Sequence, residues 1–331
     1  MRIRDFIECE KGMFFAVNTY NHPKNKIYAF LRYVPKELAT FNGIVRKINN
    51  KEYVKIPNSS EAYKFLKENF PEYLNYDKNL DTLMICVPKE KIKNVYYPHY
   101  RLLEIIEEPK NKLEEKCRKL AITLEDYGVN INSMGVTGSL LINLSSDSSD
   151  IDFVVYGNEF NKARNALKEA IEDNKIEALD YNFWKKAYEK RIKDNSLTLE
   201  EFIFHEKRKF NRGVIDNTMF DLLYVRYYKD IKEENKTYKK LGYIEIEGKV
   251  LDDKFIFDNP AIYKIECYNN KDIKEIAVFT HTYAGQCFKD EEFIARGILE
   301  SVNNDEYKRL LIGSSREAIN EYLKVKKLLT Y

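Results

Sequence analysis

Between positions 128 and 157 the chain holds Gly128, Gly135, Gly138 and Gly157, four of its 12 glycines. Six of its 12 serines, Ser133, Ser139, Ser145, Ser146, Ser148 and Ser149, fall in the same stretch. Small residues gathered this densely, in a chain otherwise rich in Lys, Glu, Ile, Asn and Tyr, mark backbone that turns sharply or lies close to something. Inside the cluster a short strand over 132–136 leads into Thr137-Gly138-Ser139. An apolar turn over 140–144 and a polar hairpin over 145–149 follow, and then the strand 150–156, which Gly157 ends.

Side chains alternate along a strand, so Asp150 and Asp152 share one face while Ile151 and Phe153 turn toward the core. Two carboxylates side by side repel each other, and a divalent cation is the usual remedy. Asp221, flanked by Phe220 and Leu222 in a strand over 218–226, adds a third acid in an otherwise buried run. If the two strands pair, three hard oxygen ligands converge, which suits Mg²⁺ or Mn²⁺ with positions left for substrate phosphates. A glycine turn such as Gly138-Ser139 presents backbone N–H groups to a polyphosphate, and the serine hydroxyl adds a donor. Asp147 and Asp216 fall in turns and are expected to be exposed.

Thr137-Gly138-Ser139, with Ser149-Asp150-Ile151-Asp152-Phe153 beginning ten positions after Ser139, resembles the signature of the polymerase-beta-like nucleotidyltransferase superfamily. The resemblance covers about 110 residues, from the helix after Pro109 to Arg226. It implies a mixed sheet with helices on one side, two Mg²⁺ ions, and transfer of a nucleoside monophosphate from an NTP to an acceptor hydroxyl. Residue by residue, Gly138 and Ser139 match the phosphate-binding turn, Asp150 and Asp152 the metal-binding pair, and Asp221 the third acid, which also stands as acceptor of the hydroxyl proton. One departure is plain: where many members place a small residue and an Arg after the serine, this chain has Leu140, Leu141 and Ile142. Positive partners for the triphosphate are sought instead in Lys207, Arg208, Lys209 and Arg212, with Lys209 and Arg212 assigned to nucleotide binding. The competing reading of these four is a solvated helix face.

The remaining chain divides into an N-terminal α+β segment, 1–105, a central segment, 108–230, and a β-rich C-terminal segment, 240–331. The fold class is therefore α+β. Strands are expected at 5–20 around Lys11-Gly12, at 26–34, 44–46 and 83–87, and a helix over 60–70 with Ser59 or Ser60 as its cap. Pro109 is expected to open an amphipathic helix carrying Leu113, Cys117, Leu120 and Leu124, closed by Gly128. Helices are expected at 159–173 and 182–193, and another from Thr198, where Thr198-Leu-Glu-Glu201 spells a capping box. Short C-terminal strands with a glycine near the bend admit a small OB-like barrel, a shape used on single-stranded nucleic acid, and 315–329 is expected to be a closing helix.

Charge and cysteine usage narrow the function classes. With 55 Lys+Arg against 53 Asp+Glu the net charge is +2, which excludes a globally basic nucleic-acid binder but permits local patches. The five cysteines are odd in number and widely spaced, as buried thiols are, and the four histidines share no zinc spacing. No GxSxG, GxxxxGKS or GxGxxG is present. No run approaches the roughly 20 apolar residues of a membrane span, so no membrane partner and a cytoplasmic location are expected. The aromatic cluster Tyr96-Tyr-Pro-His-Tyr-Arg101 admits base stacking or packing between segments. The acceptor is expected to be RNA, such as a tRNA-like end, with a protein hydroxyl behind it; a non-catalytic nucleotide- or nucleic-acid-binding module on the same fold is the alternative.

Overall fold

The computed structural model describes residues 1–327 of the chain. Its architecture is mixed α+β, with three sheets and seven α-helices among the described residues. Two compact units form. The first gathers residues 1–75, 84–179 and 210–233; the second gathers 76–83, 180–209 and the described part of 234–331. The first unit thus joins residues that the sequence divides between its N-terminal and central segments.

Within the first unit, an antiparallel sheet runs in the order Val45–Ile48, Lys51–Lys55, Lys26–Pro35, Phe14–Val17, Phe6–Cys9, Ile92–Tyr96. Helix Ser59–Asn69 closes one face by burying Ala62, Phe65 and Leu66, in a core shared with Ile7, Phe15, Leu31 and Tyr73. Its cap is Asn58, whose side chain accepts from the Glu61 N–H at 2.8 Å, rather than Ser59 or Ser60. Asn places its carbonyl where a serine hydroxyl would sit, so the signal was displaced by one residue. Further along, a helix absent from the expected set, Pro98–Glu107, starts with Pro98 in its first turn. The next helix, Lys112–Asp126, is capped by Asn111 rather than opened by Pro109. Gly128 ends it with φ +86°, as expected of a left-handed stop.

A second sheet has the order Arg212–Ile215, Thr218–Val225, Ile151–Tyr156, Met134–Val136. The central pair is parallel and both outer pairs are antiparallel. The turn expected at Asp216 is only two residues long: Arg212–Ile215 is a strand, and Asp216 and Asn217 alone make the tight turn, with φ 45° and 61°, in the left-handed region that Asp and Asn tolerate. Helix Glu159–Glu172 packs on one face of this sheet. On the other face Val154, Tyr156 and Val225 pack against Ile3 and Tyr20 from the start of the chain. The apolar turn is explained the same way, since Leu141, Ile142 and Leu144 are buried with Phe6, Phe14, Tyr33 and Tyr53 of the first sheet. These two apolar seams, rather than any linker, make one unit of the two sheets.

The second unit is built on strands Tyr238–Phe255, Ala261–Cys267, Ile273–Val278, Tyr307–Ile312 and Glu292–Val302, paired in that order. A further pairing of Tyr238–Phe255 with Glu292–Val302 returns the path to its start, making a ring-like sheet with one parallel pair, Ile273–Val278 beside Tyr307–Ile312. Helices Tyr181–Arg191 and Leu199–Lys209 belong to this unit. The capping box forms as spelled: Thr198 Oγ1 accepts from the Glu201 N–H at 3.1 Å, and the Glu201 carboxylate accepts from the Thr198 N–H at 2.9 Å. The expected closing helix is not there: Tyr322–Val325 is a strand on Glu292–Val302, with Leu323 and Val325 buried in alternation, a period of two that a helix cannot use. Leu328 and Leu329 of that expectation lie outside the described residues. All five cysteines are buried and free, and no described helix is long and apolar enough to cross a membrane.

Candidate active site

The site forms where the Gly-Ser turn meets the two parallel strands. Met134–Val136 pairs antiparallel with Ile151–Tyr156, and the pairing continues one step further as the Thr137 N–H donates to the Asp152 carbonyl at 2.9 Å. That bond draws Gly138 onto Asp152. A Cβ added at Gly138 would lie 2.2 Å from Asp152 Oδ2, and its φ is +67°, so both space and backbone demand glycine. A helical turn, Gly138–Leu141, carries the half-buried Ser139.

Asp152 and Asp221 are register partners on the parallel pair, and Arg212 is the antiparallel partner of Asp221 on the other side. Three charged side chains therefore stand in one row across three strands. Like charges directly opposite repel, so the row needs compensation. Arg212 provides it: its Nε lies 2.7 Å from Asp221 Oδ1, and both residues are buried. Asp150 is half-buried immediately before its strand, two residues from Asp152.

A further cation lay outside the expected set. Arg4 takes a left-handed backbone, φ 73°, with its N–H donating to the Val17 carbonyl at 3.0 Å. Its carbonyl accepts from Thr137 Oγ1 at 2.7 Å, one residue before Gly138. Burial pushes the Arg4 guanidinium down from its ordinary value, while Asp152, then Tyr20, then Asp221 support its charge and Arg32 opposes it. Its Nε is buried with no hydrogen-bond partner. The only hint in the sequence was that Arg2 and Arg4 sit in a stretch otherwise destined for burial.

The other predicted cations are placed differently. Lys209 is buried in the second unit, ion-paired with Glu206 and donating to the Thr282 carbonyl at 3.0 Å. Arg208 pairs with Glu291 and lies over the rings of Phe204 and Phe288. Neither reading of the basic run, phosphate partner or solvated face, describes these two. Asp216 is exposed, as expected, and meets Lys119 at 2.6 Å. Asp147 is exposed in the serine turn, where the Ser146 N–H donates to Ser149 Oγ at 3.0 Å. Arg101 of the aromatic cluster, also buried, donates to the Leu140 carbonyl at 3.2 Å and pairs with Glu114 at 2.7 Å, so it braces the helical turn from behind.

The donor set suits a hard divalent cation: hard carboxylates on adjacent strands, one of them pressed into a cradle that a Cβ would fill. Among the described residues, no group of three or more His, Cys, Asp or Glu side chains is drawn together closely enough to hold a metal ion as it stands. Arg212 occupies part of the space such an arrangement would use.

Comparison with known proteins bears on this geometry. The Nucleotidyltransferase domain family matches residues 116–225, a span that contains the Gly-Ser turn, all three aspartates and Arg212. Over 99% of both chains the sequence is 58% identical to the uncharacterized protein MJ1086 of Methanocaldococcus jannaschii. No solved structure matches.

Proposed function

The chain belongs to the polymerase-beta-like nucleotidyltransferase superfamily, and on that premise we propose that it moves a nucleoside monophosphate from an NTP to an acceptor hydroxyl, with RNA as the acceptor. The observation that carries the reading is the register of Asp152 with Asp221, together with the contact of Gly138 on Asp152. Asp150, Asp152 and Asp221 would hold Mg²⁺, or Mn²⁺ in its place. Held there, such ions would supply activation of the attacking oxygen and neutralisation of charge on the pyrophosphate. Gly138 and Ser139 receive the phosphates and fix the NTP against the aspartate row. Arg212, already beside Asp221, is the cation of the basic run that stands in this row, whereas Lys209 stays committed to Glu206.

Support for an RNA acceptor comes from the second unit. Its ring-like sheet leaves Tyr243, Phe255 and Tyr268 exposed, and exposed aromatic faces are surfaces on which unpaired bases stack. A non-catalytic nucleotide-binding module is the second reading, favoured by Arg212 standing on Asp221.

Purified protein incubated with labelled NTPs, Mg²⁺ and total RNA should label RNA. The Asp150→Asn/Asp152→Asn variant should lose about 1000-fold or more of that rate, equivalent to about 4 kcal/mol of transition-state stabilisation. An active double variant would sink the assignment. Label in protein rather than RNA would move the acceptor, and metal-dependent NTP binding without transfer to any acceptor would establish the binding module.

A further inference from the structure

We propose that Arg4 is a phosphate-binding residue of this site, holding the triphosphate of the incoming NTP. The inference rests on the nucleotidyltransferase reading and deepens it by supplying the cation that the Leu140-Leu-Ile142 turn lacks.

Three observations carry it. First, the Arg4 backbone is held in place at an energetic cost: a non-glycine residue at φ 73° persists only where its surroundings impose it. Here they do, through the Val17 carbonyl on one side and the Thr137 hydroxyl on the other. Its neighbours are anchored too, with Ile3 in the core, the Arg2 N–H donating to the Asp5 carboxylate at 3.0 Å, and an Arg2 guanidinium N–H donating to the Arg226 carbonyl at 2.9 Å. So many tethers on four residues fix the Arg4 backbone against Thr137, one residue from Gly138, and its guanidinium feels the charges of Asp152 and Asp221.

Second, that guanidinium has donor capacity to spare. Asp152 and Asp221 stabilise its charge from nearby, yet its buried Nε makes no hydrogen bond. Arg101, which braces the turn from behind, instead spends its fork on Leu140, Glu104, Glu114 and Asn143.

Third, the charges balance in two states. Without ligands, Arg4 and Arg212, with Arg32 near Arg4, offset Asp150, Asp152 and Asp221, three charges of each sign. When divalent ions take the carboxylates, the guanidiniums are left beside the added anion, and a triphosphate is the ligand that restores neutrality. Arg32, whose charge opposes that of Arg4, adds to the positive side of the same balance.

The test reads two affinities of Arg4→Gln in the full chain, with opposite signs expected. Each of the four ribonucleoside triphosphates is titrated with Mg²⁺ by calorimetry, and the one that wild type binds is carried forward. Arg4→Gln should weaken it about tenfold or more, and the corresponding monophosphate hardly at all, with Arg4→Lys in between because an ammonium keeps the charge but loses the fork. Mn²⁺ binding without nucleotide, followed by electron paramagnetic resonance, should tighten in Arg4→Gln, because a cation beside the carboxylates has gone. A variant that merely folded poorly would weaken both. Unchanged triphosphate affinity in Arg4→Gln, with binding lost in Asp150→Asn/Asp152→Asn, would overturn the role of Arg4 and leave the nucleotidyltransferase reading standing. A wild type that binds none of the triphosphates would remove both.

Discussion

Two buried arginine–carboxylate pairs in this protein share their strand pairing and their separation and differ in their surroundings. Arg212 and Asp221 are direct antiparallel partners in the first unit, 2.7 Å apart. Arg309 and Glu300 are direct antiparallel partners in the second, also 2.7 Å apart. Around Arg309 the structure closes in: its guanidinium lies 3.5 Å from the centre of the Tyr238 ring, with Phe279 on a further side. Around Asp221 it opens: the next strand brings a second carboxylate, Asp152, into register, and a glycine stands where any side chain would collide. A buried ion pair alone therefore says nothing about function. What separates a clip from a site is the balance of the row: beside Arg309 the second carboxylate in register, Glu275, has its own cation in Lys264 at 2.5 Å, whereas the neighbour in register with Asp221 is another carboxylate, Asp152.

The widest separation between the two pairs should come from removing each arginine. Arg309→Ala strands Glu300 in the core and should cost about 3–5 kcal/mol of stability by chemical denaturation, with or without metal. Arg212→Ala should cost a similar amount in chelator, but millimolar Mn²⁺ should restore much of it, since a cation can take the place of the guanidinium. Equal metal responses in the two variants would erase the distinction.

A smaller effect concerns the buried polar groups of the second unit, which are structural on this view. His205 accepts from the Val325 N–H through Nε2 at 3.1 Å and donates through Nδ1 to the Glu201 carbonyl at 2.6 Å, so the ring is held neutral. Burial pushes its pKa down to about 4. The unfolded chain binds this proton near pH 6.5 and the folded one near 4, so stability falls as pH drops through that window, by up to about 3 kcal/mol. The protection factor of the Val325 amide should fall over the same range, and His205→Gln should flatten the profile. In the first unit Asp5 works the other way: burial raises its pKa to about 6, so its contribution improves on acidification from about 6 toward 4.

The smallest effect tests the glycine. Gly138→Ala should lose roughly 1–3 kcal/mol from strain at positive φ and from collision with Asp152, together with most NTP affinity. An Ala variant with native stability and binding would mean that the turn is not pressed onto the carboxylate.

How far the sequence could be read differs along the chain for physical reasons. The Gly-Ser turn, the Asp150–Asp152 strand, the Thr198 capping box and the Gly128 stop were legible because each is a local pattern: strand alternation, a reciprocal cap and a left-handed glycine act over a few residues. The Arg212–Ile215 strand was hidden because Gly213 suggested a turn, while the true turn, Asp216-Asn217, needs only two residues. The Tyr322–Val325 strand was hidden because four residues cannot outvote the helical look of their flanks until a partner strand pairs with them. Lys209 looked exposed from its neighbours in sequence, and only Glu206 and the Thr282 carbonyl account for its burial.

By itself the sequence determined the order of the central elements, the three acids and the turn that meets them, since these follow from side-chain direction and backbone freedom at single positions. Which cations attend the acids was decided only by the tertiary structure. Strand register sets Arg212 against Asp221, and a hydrogen bond between residues 133 positions apart, Thr137 to Arg4, brings the start of the chain to the site. Electrostatic partnership depends on distance in space, and no local pattern records which distant residue will supply it.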